Sequence, residues 1–129
     1  MKKILGAIII LCVCQVANAQ LANTTWTGTV NAGGSNINAL LKLTADSTYF
    51  YNNDDNSLLD VSVFKLRDST ITLKKVSGLS SCTEAEGVYT ITLKGNELQF
   101  ILVKDDCYDR SGTLDKATFI KQEENNKMK

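Results

Sequence analysis

Few side chains in this chain could act in catalysis or bind a metal ion. Its 129 residues include four cysteines and no histidine. Without histidine, Ser-His and Cys-His nucleophilic pairs are excluded. Carboxylate pairs or calcium ligands could come from three acidic runs: Asp54-Asp55, Glu84 with Glu86, and Asp105-Asp106 with Asp109. Asp54-Asp55 lacks the alternate spacing and the turn glycine of a calcium loop. We interpret all of these acids as loop residues and expect no enzyme activity, no metal and no cofactor.

The cysteines fall into two pairs. Cys12 and Cys14 lie in the first twenty residues, whereas Cys82 and Cys107 lie in the body of the chain. An even pair in an oxidising compartment forms a disulfide by default. Closing this loop would stabilise the fold by about 3 to 3.5 kcal/mol in the chain-entropy model. The alternative, half of a soft metal site, lacks further cysteine and histidine ligands, so we predict a disulfide between Cys82 and Cys107.

The first nineteen residues have the three parts of an export signal. Lys2 and Lys3 precede an apolar run over 4–16, and residues 17–19 give the small-x-small pattern of a cleavage site. We predict cleavage after Ala19 and export to the periplasm or the medium, as in bacteria. The run is short for a membrane span, although it could be retained as an anchor. Lipidation at Cys14 is a further alternative, which the bulky Val13 disfavours.

Charge excludes one class of partner. Removing Lys2 and Lys3 leaves twelve basic against fourteen acidic residues, a net charge of about −2. The remaining basic residues are scattered, so we expect no nucleic-acid partner and no anionic membrane surface, and the cleaved protein is not expected to be an integral membrane protein. Residues 20–121 suffice for one domain, and residues 122–129 read as a disordered polar tail.

The clearest element is a hairpin over residues 87–103. Residues 87–93 and 98–103 alternate apolar and polar side chains around a Gly95-Asn96 turn. This spacing predicts three inward cross-strand pairs: Leu93 with Leu98, Ile91 with Phe100, and Tyr89 with Leu102. Such a pair of strands has one buried face and one wetter face.

The remaining chain repeats this pattern. We predict strands over 26–30, 40–44, 48–51, 59–66, 70–74, 111–114 and 118–121. A three-residue loop at 45–47 would set Leu43 against Tyr49 and Leu41 against Tyr51. An Asp68-Ser69 turn would set Leu66 against Ile71 and Phe64 against Leu73, with a β-bulge near Val63. About eight short strands and no helical stripe beyond the signal peptide predict an all-β, antiparallel up-and-down meander that forms a closed or nearly closed barrel.

Four short motifs resemble small bacterial lipocalin-like (calycin-type) proteins: residues 24–28 around Trp26, the turn at 43–49, residues 87–91, and residues 105–110. Lipocalins carry a Gly-x-Trp motif on the first strand, where this chain has Thr24, and an arginine that packs over the tryptophan. The resemblance implies that Arg110 covers Trp26 at one barrel end, which physically suits a guanidinium on an indole. The alternative is a core tryptophan and a solvated arginine.

The resemblance also implies a small apolar ligand inside the barrel. Tyr49, Tyr51, Tyr89 and Phe100 are the candidate pocket residues, since a buried hydroxyl needs a partner; the tyrosines could instead lie at the rim. The inward side chains are mostly large, and an eight-stranded barrel can be filled by its own side chains. A second hypothesis is therefore a filled barrel that acts through its outside, as an envelope protein-protein interaction module or inhibitor.

Overall fold

Strands joined by short turns make up most of the chain in the computed structural model, which describes residues 20–83 and 85–123. The described elements are β1 Thr24–Ala32, β2 Ser35–Leu43, β3 Ser47–Asn52, β4 Ser57–Arg67, β5 Thr70–Gly78, β6 Glu86–Lys94, β7 Glu97–Asp105, α1 Tyr108–Leu114 and β8 Thr118–Lys121. The predicted signal peptide and most of the predicted tail lie outside the described residues.

The strands form a closed barrel in chain order. Each strand pairs antiparallel with the next, and β8 returns to β1, where Trp26 lies opposite Lys121 and Thr27 opposite Ile120. Gly28 allows this closure, because a Cβ there would lie 2.5 Å from the backbone oxygen of Thr118. The predicted all-β, up-and-down barrel is confirmed.

Both hairpins with clear alternation have the predicted register. In β6 and β7, Leu93 faces Leu98, Ile91 faces Phe100 and Tyr89 faces Leu102. In β4 and β5, Leu66 faces Ile71 and Phe64 faces Leu73. These registers follow from two-residue turns that tolerate positive φ, since Gly95 has φ 63° and Asp68 has φ 58°.

The predicted register between β2 and β3 is wrong by one residue. The turn contains two residues rather than three, because the Thr44 amide donates to the Ser47 carbonyl at 2.9 Å and Thr44 Oγ1 accepts from the Ser47 amide at 3.0 Å. Leu43 therefore lies opposite Thr48, and Leu41 lies opposite Phe50. A slip of one residue exchanges the two faces of a strand.

Two further expectations need correction. The bulge expected near Val63 is replaced by two irregularities: Val76 on β5 is unpaired between Val61 and Ser62, and Leu59 on β4 is unpaired against β3. Residues 111–114, expected as a strand, belong to helix α1. This helix has seven residues and buries only Arg110 and Leu114, so its sequence shows no apolar stripe of helical period.

Large side chains fill part of the barrel interior. Trp26, Leu98 and Phe119 are each at most 1% exposed and belong to one apolar cluster. The Phe100 ring meets the rings of Tyr89 and Phe119 edge to face, with ring centroids 6.1 and 5.9 Å apart. Edge-to-face packing suits the charge distribution of aromatic rings and fixes their positions.

Candidate functional site: a cavity at one end of the barrel

A cavity of about 300 Å³ lies at the barrel end that carries the β1–β2 turn, the loop after β5 and helix α1. The inner faces of the strands supply its body. These lining residues are Leu41, Thr48, Phe50, Leu59, Asp60, Ser62, Leu73 and Phe100. The connections supply its rim: Ala32, Gly33, Leu79, Ser80, Asp109, Arg110, Thr113 and Leu114. The barrel is therefore not completely filled by its own side chains.

Of the four pocket residues predicted from the sequence, one lines the cavity. Phe100 is 2% exposed and lies on its wall. Tyr89 is fully buried but lies outside the cavity lining. Tyr49 and Tyr51 pair with Lys42 and Leu40 on the other face of the sheet, half-buried and away from the cavity, because of the shifted register.

Thr48 and Phe50 occupy the inward positions that were assigned to the tyrosines. Phe50 adds an aromatic wall, and Thr48 adds a hydroxyl beside that of Ser62. Residues on both faces of the strand 48–51 are large or β-branched, so the alternation of residue types does not indicate which face turns into the barrel. The Thr44 side chain that shortens the turn was the one local signal.

Arg110 takes part in a buried ion pair beside the cavity. Its Nε donates to Asp105 Oδ2 at 2.6 Å, and its Nη2 donates to Asp105 Oδ1 and to the Ala85 carbonyl, each at 2.9 Å. The Tyr89 hydroxyl donates to Asp105 Oδ2 at 2.6 Å, and the Cys107 amide donates to Oδ1 at 2.9 Å. Asp105 is thus no loop residue: it ends β7 and accepts four hydrogen bonds.

The cluster holds a charged pair and a neutral tyrosine. Burial alone would raise the pKa of Asp105, but the hydrogen bonds from Arg110, Tyr89 and the Cys107 amide outweigh it and lower the pKa below its usual value. Burial, reinforced by the hydrogen bond to Asp105, raises the pKa of Tyr89. Burial opposes the charge on Arg110, yet Asp105 more than compensates and raises its pKa.

The structure does not bring Trp26 and Arg110 together. Trp26 lies opposite Leu41, and its Nε1 donates to Thr24 Oγ1 at 2.8 Å. Helix α1, which carries Arg110, instead contacts the other end of β1, where the Thr113 hydroxyl donates to the Asn31 carbonyl. Asn31 is five residues from Trp26, a distance of about 17 Å along a strand. The correction has a physical reason: a carboxylate five residues earlier is a stronger partner for a guanidinium than an indole.

The disulfide positions the rim of the cavity. Cys82 and Cys107 lie at bonding distance with their Cα atoms 5.4 Å apart, as predicted. The bond ties the loop after β5 to the start of α1. Next to it, the Ser81 amide and hydroxyl both donate to Asp109 Oδ2 at 2.8 Å. The helix is therefore fixed over the cavity by one covalent and two polar links.

Of the other acidic candidates, Asp55 lies in a turn, as expected, whereas Asp109 lies in helix α1 rather than in a loop. Asp55 Oδ1 accepts from the Ser57 amide at 2.9 Å and hydroxyl at 2.7 Å, which lowers the pKa of Asp55. Glu84 lies outside the described residues, and Glu86 is exposed at the start of β6. Within residues 20–83 and 85–123, no three His, Cys, Asp or Glu side chains form a group that could hold a metal ion.

Comparisons with known proteins assign no relative. No protein-family model matches the chain, and neither the curated proteins nor the solved structures contain a match. Helices long and apolar enough to cross a membrane do not occur in the described part of the chain. The functional conclusion therefore depends on the cavity and on the residues around it.

Proposed function

We propose that this protein binds a small, mostly apolar molecule in the cavity of its barrel. The cavity itself carries this proposal, since it has about 300 Å³ of space and walls of Leu41, Leu73, Phe50 and Phe100. A dry apolar cavity of about 150 Å³ is enough to hold benzene. The space therefore suits a molecule of about ten to twelve heavy atoms. The lipocalin-like motif around Trp26 supports the same function.

We further propose that binding takes place outside the cytoplasm. The apolar run after Lys2 and Lys3 and the small residues at 17–19 support export. The disulfide-bonded pair Cys82 and Cys107 is compatible with an oxidising compartment. Mass spectrometry of the secreted or periplasmic protein should find a chain that begins at Gln20 with both body cysteines oxidised. A chain that keeps residues 1–19, or a lipid on Cys14, would contradict this proposal.

Native mass spectrometry of the protein exported by its own signal tests the binding. We expect an additional mass that is lost on denaturation, and fragmentation of that species would identify the ligand class. Leu114→Trp should remove the additional mass, because Leu114 lines the cavity and is 8% exposed. Val63→Trp places the same side chain on the outer face, where Val63 is 42% exposed, and should keep it.

Two outcomes would contradict the binding proposal. One is a wild-type protein that carries no additional mass and takes up none of a panel of apolar compounds. The other is an additional mass that persists in Leu114→Trp, since such a ligand would lie elsewhere.

A protein partner is a second candidate function, favoured by the exposed residues around the disulfide. Leu79 and Tyr108 are 81% and 85% exposed, and both lie next to the segments joined by Cys82 and Cys107. A loop that is already ordered loses less entropy when a partner binds. The double substitution Leu79→Ser with Tyr108→Ser should then abolish co-purification of an envelope protein. If wild type and variant recover the same proteins, this candidate is lost.

A further inference from the structure

Two hydroxyls lie side by side on the wall of the otherwise mostly apolar cavity. Thr48 on β3 and Ser62 on β4 are direct cross-strand partners. They are 8% and 7% exposed, and both line the cavity. Directly paired residues on one face have Cβ atoms about 5 Å apart, so both hydroxyls can reach the same ligand atom.

Neither hydroxyl has a hydrogen-bond partner among the described residues. Thr48 Oγ1 and Ser62 Oγ take part in none of the side-chain hydrogen bonds there, whereas the hydroxyl of buried Tyr89 donates to Asp105. Both hydroxyls are open to the cavity rather than sealed in the core, since Arg110 Nη1 is the one fully buried polar side-chain atom without a partner among the described residues. A hydroxyl on this wall needs a partner inside the cavity, whereas valine and alanine would fit the two positions without that need. The pair therefore indicates a polar atom on the molecule that occupies the cavity.

The charges around the cavity favour an uncharged ligand. Arg110 is compensated by Asp105. Asp60, which accepts from the Ser80 amide at 3.0 Å and hydroxyl at 2.6 Å, and Asp109 add negative charge to the lining. Lys75 donates to the Ser80 carbonyl and offsets part of the charge of Asp109, which leaves an excess of about one negative charge. A carboxylate in the cavity would meet the negative charge of half-buried Asp60, which solvent screens less than that of exposed Asp109. Arg110 Nη1 is buried without a partner among the described residues, and the ligand class is inferred from the two hydroxyls and not from this atom.

We propose that the cavity selects an uncharged molecule that has an apolar body and one hydrogen-bonding oxygen, and that Thr48 and Ser62 hold this oxygen. The inference rests on the proposed binding function and specifies its ligand class. Each hydroxyl can both donate and accept, so an alcohol, a phenol or a carbonyl compound satisfies the pair. The apolar body of the ligand would contact the leucine and phenylalanine walls on which the proposed function depends.

Four bicyclic probes test this class: naphthalene, 2-naphthol, 2-naphthoate, and 2-naphthamide as the uncharged control of the same size as 2-naphthoate. Their affinities for the oxidised full-length mature protein are measured by titration near neutral pH. We expect 2-naphthol to bind more tightly than naphthalene, and 2-naphthoate to bind at least tenfold more weakly than both 2-naphthol and 2-naphthamide. Without hydrogen bonds the order of naphthalene and 2-naphthol would be reversed, because naphthalene is the more apolar compound.

Variants that remove the hydroxyls separate the two proposals. Thr48→Val and Ser62→Ala should each weaken 2-naphthol about two- to tenfold and leave naphthalene unchanged or tighter. The double variant should prefer naphthalene. Thr72→Val on the outer face of β5 and exposed Ser77→Ala are matched controls, and they should keep the wild-type order.

Each of the other outcomes contradicts a specific part of the two proposals. If no probe binds and no ligand co-purifies, the cavity is not a binding site and both proposals fail. If naphthalene and 2-naphthol bind but the hydroxyl variants do not change their order, the cavity binds apolar molecules and the role of Thr48 and Ser62 is wrong. If 2-naphthoate binds most tightly, Arg110 recruits an anion and the uncharged class is wrong.

Discussion

At the residue scale, Asp105 organises the polar end of the core. Its side chain is fully buried and accepts hydrogen bonds from Arg110, Tyr89 and the Cys107 amide. A buried ion pair stabilises a fold only when its remaining hydrogen-bonding groups are also satisfied. Here the carboxylate is fully satisfied, while the guanidinium keeps Nη1 buried and unpaired among the described residues, and Arg110 also lines the cavity. The same arginine therefore belongs both to the core and to the binding site.

Asp105→Asn should destabilise the protein by about 3 to 5 kcal/mol, because it leaves the Arg110 guanidinium buried without a counterion. The free energy of unfolding is measured by urea denaturation. Asp106→Asn changes the same functional group on the exposed neighbour and should stay within about 0.5 kcal/mol of wild type. Equal stability of the two variants would show that the pair contributes little.

Stability should also fall as the pH drops below about 4. The pKa of Asp105 is lower in the folded protein than in the unfolded chain, where aspartate titrates near 3.9. Above that value both states are ionised and the contribution is complete; below it the unfolded chain binds the proton first, so acid favours unfolding. Asp105→Asn should flatten this acid limb of a stability profile. An unchanged limb would assign the acid sensitivity to other carboxylates, such as Asp109.

At the scale of elements, helix α1 and the loop after β5 form one covalently joined rim. The disulfide fixes the loop to the start of the helix. Gly87 on β6 leaves the space that the Asp105–Arg110 ion pair occupies, because a Cβ there would overlap both side chains. The rim residues Leu79, Arg110 and Leu114 all line the cavity. The order of the rim therefore decides whether the cavity keeps its shape.

Replacing Cys82 and Cys107 together by serine should cost about 3.5 kcal/mol, because the closed loop spans 25 residues. The oxidised wild type and the variant are compared by urea denaturation. Adding a reductant should lower the stability of the wild type toward that of the variant and leave the variant unchanged. A wild type that ignores the reductant at equilibrium would contradict a stabilising role for the bond.

Gly87→Ala should destabilise the protein by about 1 to 3 kcal/mol, because a Cβ there would lie 2.7 Å from Arg110 Nε and even closer to Asp105. Gly112→Ala is the matched control, since no atom lies within 4 Å of its Cβ position and the residue lies in α1. It should be neutral or stabilise by up to about 1 kcal/mol. Differential scanning calorimetry measures both changes. A harmless Gly87→Ala would mean that the ion pair can move aside.

At the scale of the whole molecule, the barrel is closed by its shortest strand. β8 has four residues and pairs with β1 at Trp26 and Thr27 and with β7 at residues 97–99. The neighbouring hairpin of β6 and β7 pairs along almost its full length. Closure removes the free edges that an open sheet would present to other chains. The aromatic cluster around Phe119 depends on this seam, because Phe119 lies on β8.

The seam should therefore open before the rest of the barrel. In native-state hydrogen exchange, the paired amides of β8 should exchange faster than those of β6 and β7, through local opening rather than global unfolding. A ligand bound in the cavity should slow the exchange of the rim more than that of the Gly95-Asn96 turn. Uniform protection of all eight strands would show that closure and core unfold as one unit.

The sequence by itself determined the eight strands of the barrel, although not helix α1, and also their antiparallel order, the two hairpins around residues 68–69 and 95–96, and the cysteine pair. These features are local, because alternation, turn residues and cysteine parity can be recognised within short windows. Only the tertiary structure decided which face of β3 turns inward, since Thr48 with Phe50 and Tyr49 with Tyr51 alternate equally well and a turn one residue shorter exchanges them. It also decided the partner of Arg110, because Asp105, Tyr89 and Gly87 meet only when the barrel closes and α1 folds over its end.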